Sequence, residues 1–521
     1  MIIIVTFVIA LVFFYFYNTR KFNYWADKGV KHDKPVILFG NNAKNFLMKQ
    51  SRSQAMEEMY WKYPKERVVG FYRSSTPELI LRDPELIKQV LISKFTYFYS
   101  RGFHPYPKVV EPLMRNLYVV EGDLWKMLRQ TMTPAFTSTK LKAMFPLIVE
   151  TAEKLQARTI TAVKSAAIID AKDLMARYSI DIIGCCGFGL DPDSLNNEDS
   201  EFNKLSKEIF NIGFKEFAVG VLKSMFPELA QNLKFFGRFE KKGLNLMKQI
   251  QDSKGNKPSG RGDFVDLLLE FKQKGPIEIE SLEKSLPNGI PEKVTFEFDD
   301  VLVAAQTFLF FIAGYKTTSS ASSYTLHQLA FNPEIQKKVQ KEIDEVLARH
   351  NMKLSYYAVK EMTYLEWVFK EGMRFFPSSG RLMRVCTRQF TFDDINLTID
   401  PGVRAIVPIQ ALHMDPKYWD RPKEFRPERF HPDEFTDIQK AVYLPFGDGP
   451  RNCVGYRLGL MQSLAGLAAV LSQFTVEPAP ESVRFPEVDP TSDVVQSPKG
   501  GKLPLIFKRR FEKARQRDIR M

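Results

Sequence analysis

The run PFGDGPRNCVG, residues 445–455, is the most informative stretch of this chain. A lone cysteine is most often a small buried hydrophobe. Cys453 instead closes a glycine-punctuated loop, stands just before an apolar helical stretch at residues 456–471, and has an arginine two residues upstream. Each part has a physical use if the sulfur binds a haem iron. A thiolate pushes electron density onto the metal and favours O–O cleavage. Amides at the helix start, those of Val454 and Gly455, point at the sulfur and temper that donation. Gly447 and Gly449 let the loop fold tightly with its backbone near the metal. Arg451 pairs with a haem propionate, and Gly455 lets the helix approach the porphyrin.

Outward from this loop, the 521 residues have length enough for about three domains. No internal repeat or low-complexity linker divides them, and the polar GNKPSGRGD at residues 255–263 is short enough for a surface loop between helices. One large domain with an appendage at each end is expected. Hydrophobic residues make up 44%, ample for a big core, and charged residues an ordinary 26%. Cys185, Cys186, Cys386 and Cys453 form no C-x-x-C pair. They are too few for a disulfide framework and too scattered for a zinc site, so a reducing compartment fits. There is no G-x-S-x-G or H-E-x-x-H, and residues 255–261 lack the Lys-Ser/Thr of a phosphate loop.

Residues 2–17 (IIIVTFVIALVFFYFY) are apolar apart from Thr6. As a helix these 16 residues span about 24 Å at ~1.5 Å per residue, a little short of a ~30 Å hydrocarbon core. Tyr15 and Tyr17 suit the interface, and Arg20 and Lys21 reach back to the headgroups. No charged region precedes the run, and bulky aromatics stand where a cleaved leader needs small residues. Arg20, Lys21, Lys28, Lys31 and Lys34 follow it, against Asp27 and Asp33. The positive-inside rule therefore puts the body on the cytosolic side of a membrane, anchored by residues 1–21. The sequon Asn396-Leu397-Thr398 then stays unglycosylated. Net charge is +13, of which KRRFEKARQRDIR at residues 508–520, seven basic and two acidic, supplies +5. With no recognition motif beside it, nucleic acid is not the partner. The 508–521 tail reads as a solvated segment that brushes anionic lipid.

Between the ends, the pattern predicts a mainly α fold with small β-sheets. Residues 301–329 form one long proline-free apolar helix, and residues 385–408 alternate in short runs with turn signals, as small strands and hairpins do. Residues 202–233, rich in Phe and Leu, are either core or a second surface that touches the membrane.

The cysteine loop resembles the haem-binding signature of the cytochromes P-450, F-x-x-G-x-R-x-C-x-G, at every fixed position: Phe446, Gly449, Arg451, Cys453 and Gly455. Other landmarks follow the family's order. Glu371 and Arg374 share a helix face by their i, i+3 spacing. With Arg429 of RPERF (residues 426–430) they resemble the Glu-Arg-Arg network behind the loop. Trp125 and Arg129 resemble the W-x-x-x-R pair that holds a propionate, and Arg384 matches a further propionate arginine. The resemblance covers residues 35–507, the expected catalytic domain being 22–507. It runs to insect microsomal members of clan three, family six first and family nine second, on residues 121–146, 187–202 and 457–471. The proline-rich hinge is reduced to KPVILFGN (residues 34–41), and the basic tail is longer than in the family.

AGYKTT at residues 313–318 resembles the family's A-G-x-[D/E]-T-[T/S] motif. The likeness implies that Ala313 and Gly314 make room for dioxygen and that Thr317 offers it a hydroxyl. Gln306, Leu309 and Phe310 share that helix face and are expected to touch substrate. Lys316 stands where the family has an acid, which puts the usual proton relay in question. The resemblance implies haem b and NADPH-dependent monooxygenation of apolar small molecules, such as plant toxins, insecticides or endogenous lipids. It further implies an endoplasmic reticulum membrane, electrons from an NADPH-cytochrome reductase, and cytochrome b5 as a second donor. A haem-thiolate isomerase or dehydratase, which needs no reductase, and a non-catalytic haem or ligand binder are the alternatives.

Overall fold

A computed structural model describes residues 1–103, 111–210, 213–226, 228–235, 237 and 240–510, and among them helices dominate over four small sheets. The helices used below are α1 (Ile2–Thr19), α2 (Arg52–Lys62), α3 (Gly122–Met132), α4 (Ser138–Ser165), α5 (Ala171–Ile183), α6 (Phe264–Lys274), α7 (Asp300–Ala330), α8 (Thr363–Phe375) and α9 (Tyr456–Gln473). The strands are β1 (Val68–Arg73), β2 (Thr76–Leu81), β3 (Ile169–Asp170), β4 (Ile277–Ser285), β5 (Pro291–Phe296), β6 (Leu382–Val385), β7 (Phe390–Phe392), β8 (Leu397–Ile399), β9 (Arg404–Val407), β10 (Phe474–Pro478) and β11 (Pro504–Arg509).

Helix α7 is the spine. Asp299 caps it, its carboxylate accepting from the Leu302 amide at 2.7 Å. Its side chains are apolar nearly all round, as an element wrapped on every side must be, and it packs against α5, α8 and α9. Gly314 permits one such close approach, since a Cβ there would meet Ile183 Cδ1 at 2.3 Å. The expected strands at residues 385–408 become β6 to β9. One sheet has the order β1-β2-β9-β6, with β2 and β9 parallel; a second has the order β10-β11-β3; β4-β5 and β7-β8 are hairpins.

The β4-β5 hairpin was not among the expected strands. Its IEIES and KVTF runs alternate with period two, and only one face is covered. It is clamped to α3, where Asp123 accepts from the Ser281 hydroxyl at 2.6 Å and the Leu282 amide at 2.5 Å. Lys126 donates to the Glu280 carbonyl at 2.7 Å. The hairpin thus braces the helix that carries Trp125 and Arg129.

At the N-terminus, α1 is 18 residues long, about 27 Å, and exposes its apolar side chains along nearly its whole length. Its foot rests on the body: the Tyr17 and Phe226 rings lie 6.3 Å apart, and the Tyr17 hydroxyl donates to Glu228 at 2.9 Å. Close by in sequence, Phe214 and Leu229 are 84% and 82% exposed, so residues 202–233 are not uniformly core. Besides α1, α7 is long and apolar enough to cross a membrane, but it is mostly buried as the core helix.

At the C-terminus, the first residues of the basic tail pack on the body. Lys508 pairs with Glu477 at 2.6 Å within the β10-β11 pairing. Arg510 reaches Asp344 at 2.5 Å and the Leu471 and Ser472 carbonyls at 3.1 and 3.0 Å. These basic residues find partners far away in sequence; the rest of the tail lies outside the described residues.

Candidate active site

The cysteine loop is built by its own backbone. The Cys453 amide donates to the Phe446 carbonyl at 2.9 Å, and the Asn452 amide to the Gly449 carbonyl at 3.0 Å. Gly447 and Gly449 have φ of 69° and 70°, where glycine is strongly favoured. Gly449 is also sterically obligatory, because a Cβ would stand 1.9 Å from the Leu91 carbonyl oxygen. The Phe446 ring meets Tyr456 edge-on at 4.8 Å. Gly455 starts α9 and faces Phe136 at ordinary contact distance. Its amide bonds the Cys453 sulfur, opposing the burial that pushes the thiol up; Arg129 and Arg101 act in the same sense as the amide.

Behind the loop, Glu371, Arg374 and Arg429 are at most 1% exposed. Glu371 takes two bonds from Arg374, at 2.8 and 2.9 Å, one from Arg429 at 3.3 Å and one from the Arg426 amide at 2.9 Å. Arg374 continues to the His413 carbonyl at 2.7 Å, and the His413 ring accepts from the Leu444 amide at 3.1 Å, two residues before Phe446. The network thus holds the start of the loop through named bonds.

In front of the loop, four arginines converge. Arg451 lies over the Trp125 ring at 4.3 Å and donates to the Val120 carbonyl at 3.0 Å. Arg129 clamps Asn452 with bonds of 2.7 and 2.6 Å. Arg384 donates to the Met383 carbonyl at 2.9 Å. Arg101, which sequence reasoning missed, bonds the Tyr118 and Arg451 carbonyls, both at 2.9 Å. Nothing in its spacing sets Arg101 apart from the other basic residues. Burial and mutual repulsion pull Arg384 down to about 9 and Arg451 to about 8. The Glu121 carboxylate acts against this on both Arg101 and Arg451. Among the described residues, Arg384 Nε and Nη2 and Arg451 Nε and Nη1 are buried without a partner. Unspent guanidinium donors beside the accessible Cys453 thiol fit a group that carries two carboxylates and a soft-ligated metal, which is haem.

Along α7, Thr317 donates to the Ala313 carbonyl at 2.7 Å, and Ser378 donates to the Thr317 carbonyl at 3.0 Å. Ala313 is exposed, and Leu309 and Thr317 are half-buried. Two expected substrate residues face other duties. Gln306 spends its amide on the Leu117 amide and the Arg115 carbonyl, at 2.9 and 2.8 Å. Phe310 stacks on Phe264 of α6 with centroids 4.3 Å apart. α7 runs unbroken through Gly314, whose bare Cα lies against Ile183. Lys316 is half-buried, and burial lowers it to about 8, with Lys172 pushing the same way and Asp489 opposing.

The family model described as Cytochrome P450 matches residues 31–505. This chain belongs to the cytochrome P450 family. It is 35% identical over 494 residues to cytochrome P450 6B2 of Helicoverpa armigera, covering 95% of each chain. With probable cytochrome P450 6a20 of Drosophila melanogaster it shares 35% over 510 residues, 96% of this chain and 98% of the relative. With cytochrome P450 6B1 of Papilio polyxenes it shares 34% over 506 residues, 96% and 97% respectively. Cytochromes P450 of this kind are microsomal haem-thiolate monooxygenases that draw electrons from NADPH through a reductase.

The two loop glycines separate conformation from space. Gly447→Ala meets only the left-handed backbone penalty, about 1–2 kcal/mol, since its nearest neighbour is Leu382 Cδ2 at 3.6 Å. Gly449→Ala adds the clash with Leu91. Haem content per purified protein is expected to fall severalfold in Gly449→Ala and only slightly in Gly447→Ala. Equal losses in the two would refute this account of the loop.

Proposed function

We propose that this chain is an NADPH-dependent monooxygenase of apolar small molecules, with Cys453 as the protein ligand to haem iron. Arg101, Arg129, Arg384 and Arg451 hold the propionates. The partnerless donors of Arg384 and Arg451 beside the accessible Cys453 sulfur carry this reading. Haem iron with a thiolate ligand activates dioxygen, using two electrons and two protons, and delivers one oxygen atom to substrate. The chain's part is to hold the sulfur, exclude water and manage protons. The Thr317 hydroxyl donates its hydrogen bond to the Ala313 carbonyl, so its oxygen is left to accept from a water on the exposed side of Ala313. Leu309 and Ala313 are the α7 side chains left to meet substrate.

The protein sits on the endoplasmic reticulum membrane with α1 as anchor and the body from residue 22 in the cytosol. Phe214 and Leu229, exposed and close in sequence to the Phe226 and Glu228 that the foot of α1 touches, support a second lipid contact. Reductase is the first electron donor and cytochrome b5 a second. In a reconstituted mixture, product is expected to require both NADPH and reductase. An isomerase or dehydratase would turn over without them, and a ligand binder would give spectral shifts alone. Reduced protein with carbon monoxide is expected to show thiolate-type absorption, abolished in Cys453→Ser; its survival in the mutant would dismiss Cys453.

Lys316 is expected to make the enzyme poorly coupled near neutral pH, where it is mostly protonated and accepts no proton. A relay group works best near its own pKa. Product per NADPH consumed should therefore climb as pH rises from 7 towards about 8. That climb is expected to vanish in Lys316→Met, and coupling at neutral pH to rise in Lys316→Glu. Identical profiles in the native protein and both variants would show that Lys316 takes no part.

A further inference from the structure

The helix that begins at the cysteine loop also grips the helix that carries Thr317. Gln462 of α9 is 1% exposed. Its Nε2 donates to the Thr318 hydroxyl oxygen at 2.9 Å and reaches the Gly314 carbonyl at 3.5 Å. Gly455, the N-cap of α9, lies about two turns before Gln462, and its amide bonds the Cys453 sulfur. One side chain thus ties the sulfur end of α9 to the turn of α7 that holds Ala313 and Thr317.

The bonding at this contact is incomplete. Gln462 Oε1 is buried and has no donor among the described residues. Thr318, 6% exposed, accepts from Gln462, and its hydroxyl makes no other hydrogen bond among them. Turning the Gln462 amide over moves the deficit without removing it. Thr318 would then donate to Oε1, Nε2 would be the atom left over, and Oε1 would face the Gly314 carbonyl oxygen.

Buried polar atoms that protein cannot satisfy are bonded by ordered water. Gln462 Oε1, the Thr318 hydroxyl and the Gly314 carbonyl offer such a water enough partners. Space lies beside them as well. Gly459 shares a face of α9 with Gln462 by its i, i+3 spacing, and a Cβ there would come no nearer than 3.9 Å to Thr318 Oγ1 and 4.0 Å to Phe446. Ala313 and Gly314 are consecutive, so the carbonyl that Thr317 bonds at 2.7 Å adjoins the one that Gln462 approaches. Lys316 is two residues from both Gly314 and Thr318, roughly 200° round the helix, and so points away from this contact.

We infer that Gln462 is a positioning residue for oxygen activation, fixing the Gly314–Thr318 turn of α7 and seating a water there that exchanges protons with the Thr317 hydroxyl. The inference rests on the proposed oxygenase reading and adds to it a proton supply on the α9 side, opposite Lys316. Gln462 itself neither gains nor loses a proton. The protons come from solvent water, and the electrons from NADPH through the reductase.

The test compares the native holoenzyme with Gln462→Leu, Gln462→Glu and Gly459→Ala. A crystal structure of the native holoenzyme is expected to show a water within ~3.2 Å of both the Gln462 amide and the Thr318 hydroxyl; a dry contact would overturn the proposal. Gln462→Leu is expected to cut product per NADPH consumed about threefold at unchanged haem content, the loss of one ordinary hydrogen bond. Gln462→Glu keeps a polar group at the turn and should stay near native coupling. Gly459→Ala leaves the Gln462 bonds in place and fills only the space beside Thr318, so it should lower coupling too. Native coupling in either Gln462→Leu or Gly459→Ala would overturn the proposal, as would equal losses in Gln462→Leu and Gln462→Glu, the mark of a packing role alone. If Gln462→Leu fails to hold haem, Gly459→Ala and the water decide. The carbon monoxide spectrum separates the two readings: its absence from native protein defeats the haem-thiolate site, whereas its presence with coupling untouched by the variants defeats only the role of Gln462.

Discussion

Four guanidinium groups gathered at one cysteine loop, with Glu121 acting against the repulsion on Arg101 and Arg451, form the constraint on which the rest of the structure depends. Charge buried without a counter-charge costs several kcal/mol per group, and arginine cannot escape by losing its proton. The four come from separate parts of the chain: Arg101 follows the segment after Leu91, Arg129 lies on α3, Arg384 on β6 and Arg451 in the loop itself. A dianionic ligand there would neutralise the cluster and tie those parts together. Haem binding would then be part of the folding free energy, as it is for metals whose ligands meet only in the native state.

On the other side of the loop the opposite arrangement holds. Glu371, Arg374 and Arg429 are buried but nearly saturated with bonds, many of them to carbonyls. That network needs no ligand and positions the loop in advance through His413 and Leu444. A preformed, satisfied scaffold behind the sulfur and an unsatisfied one in front is the division of labour that the geometry expresses.

Much of this was legible in the sequence because it is local. The loop's glycines, the E-x-x-R pair and the W-x-x-x-R pair are set by fixed spacings on one turn or one helix. What escaped depends on neighbours distant along the chain. Gln306 and Phe310 lie on the helix face that spacing assigns, yet the Arg115–Leu117 backbone and the Phe264 ring claim them. Lys508 and Arg510 resembled a solvated tail until Glu477 and Asp344 met them. Arg101 carries no motif at all. The β4-β5 hairpin did carry a signal, its strict alternation, but that signal sits in a polar, largely exposed segment between two strong helices. Lys316 is a departure in charge within a motif that otherwise matches, and no spacing rule foretells its burial.

The central claim is that the iron is held by a cysteine sulfur within the arginine cluster. X-ray absorption at the iron edge of the purified ferric protein addresses it most directly, because it reports the atoms bound to iron without reference to turnover. The account predicts one sulfur among the nearest ligands, alongside the porphyrin nitrogens. A shell of nitrogen and oxygen alone would contradict it.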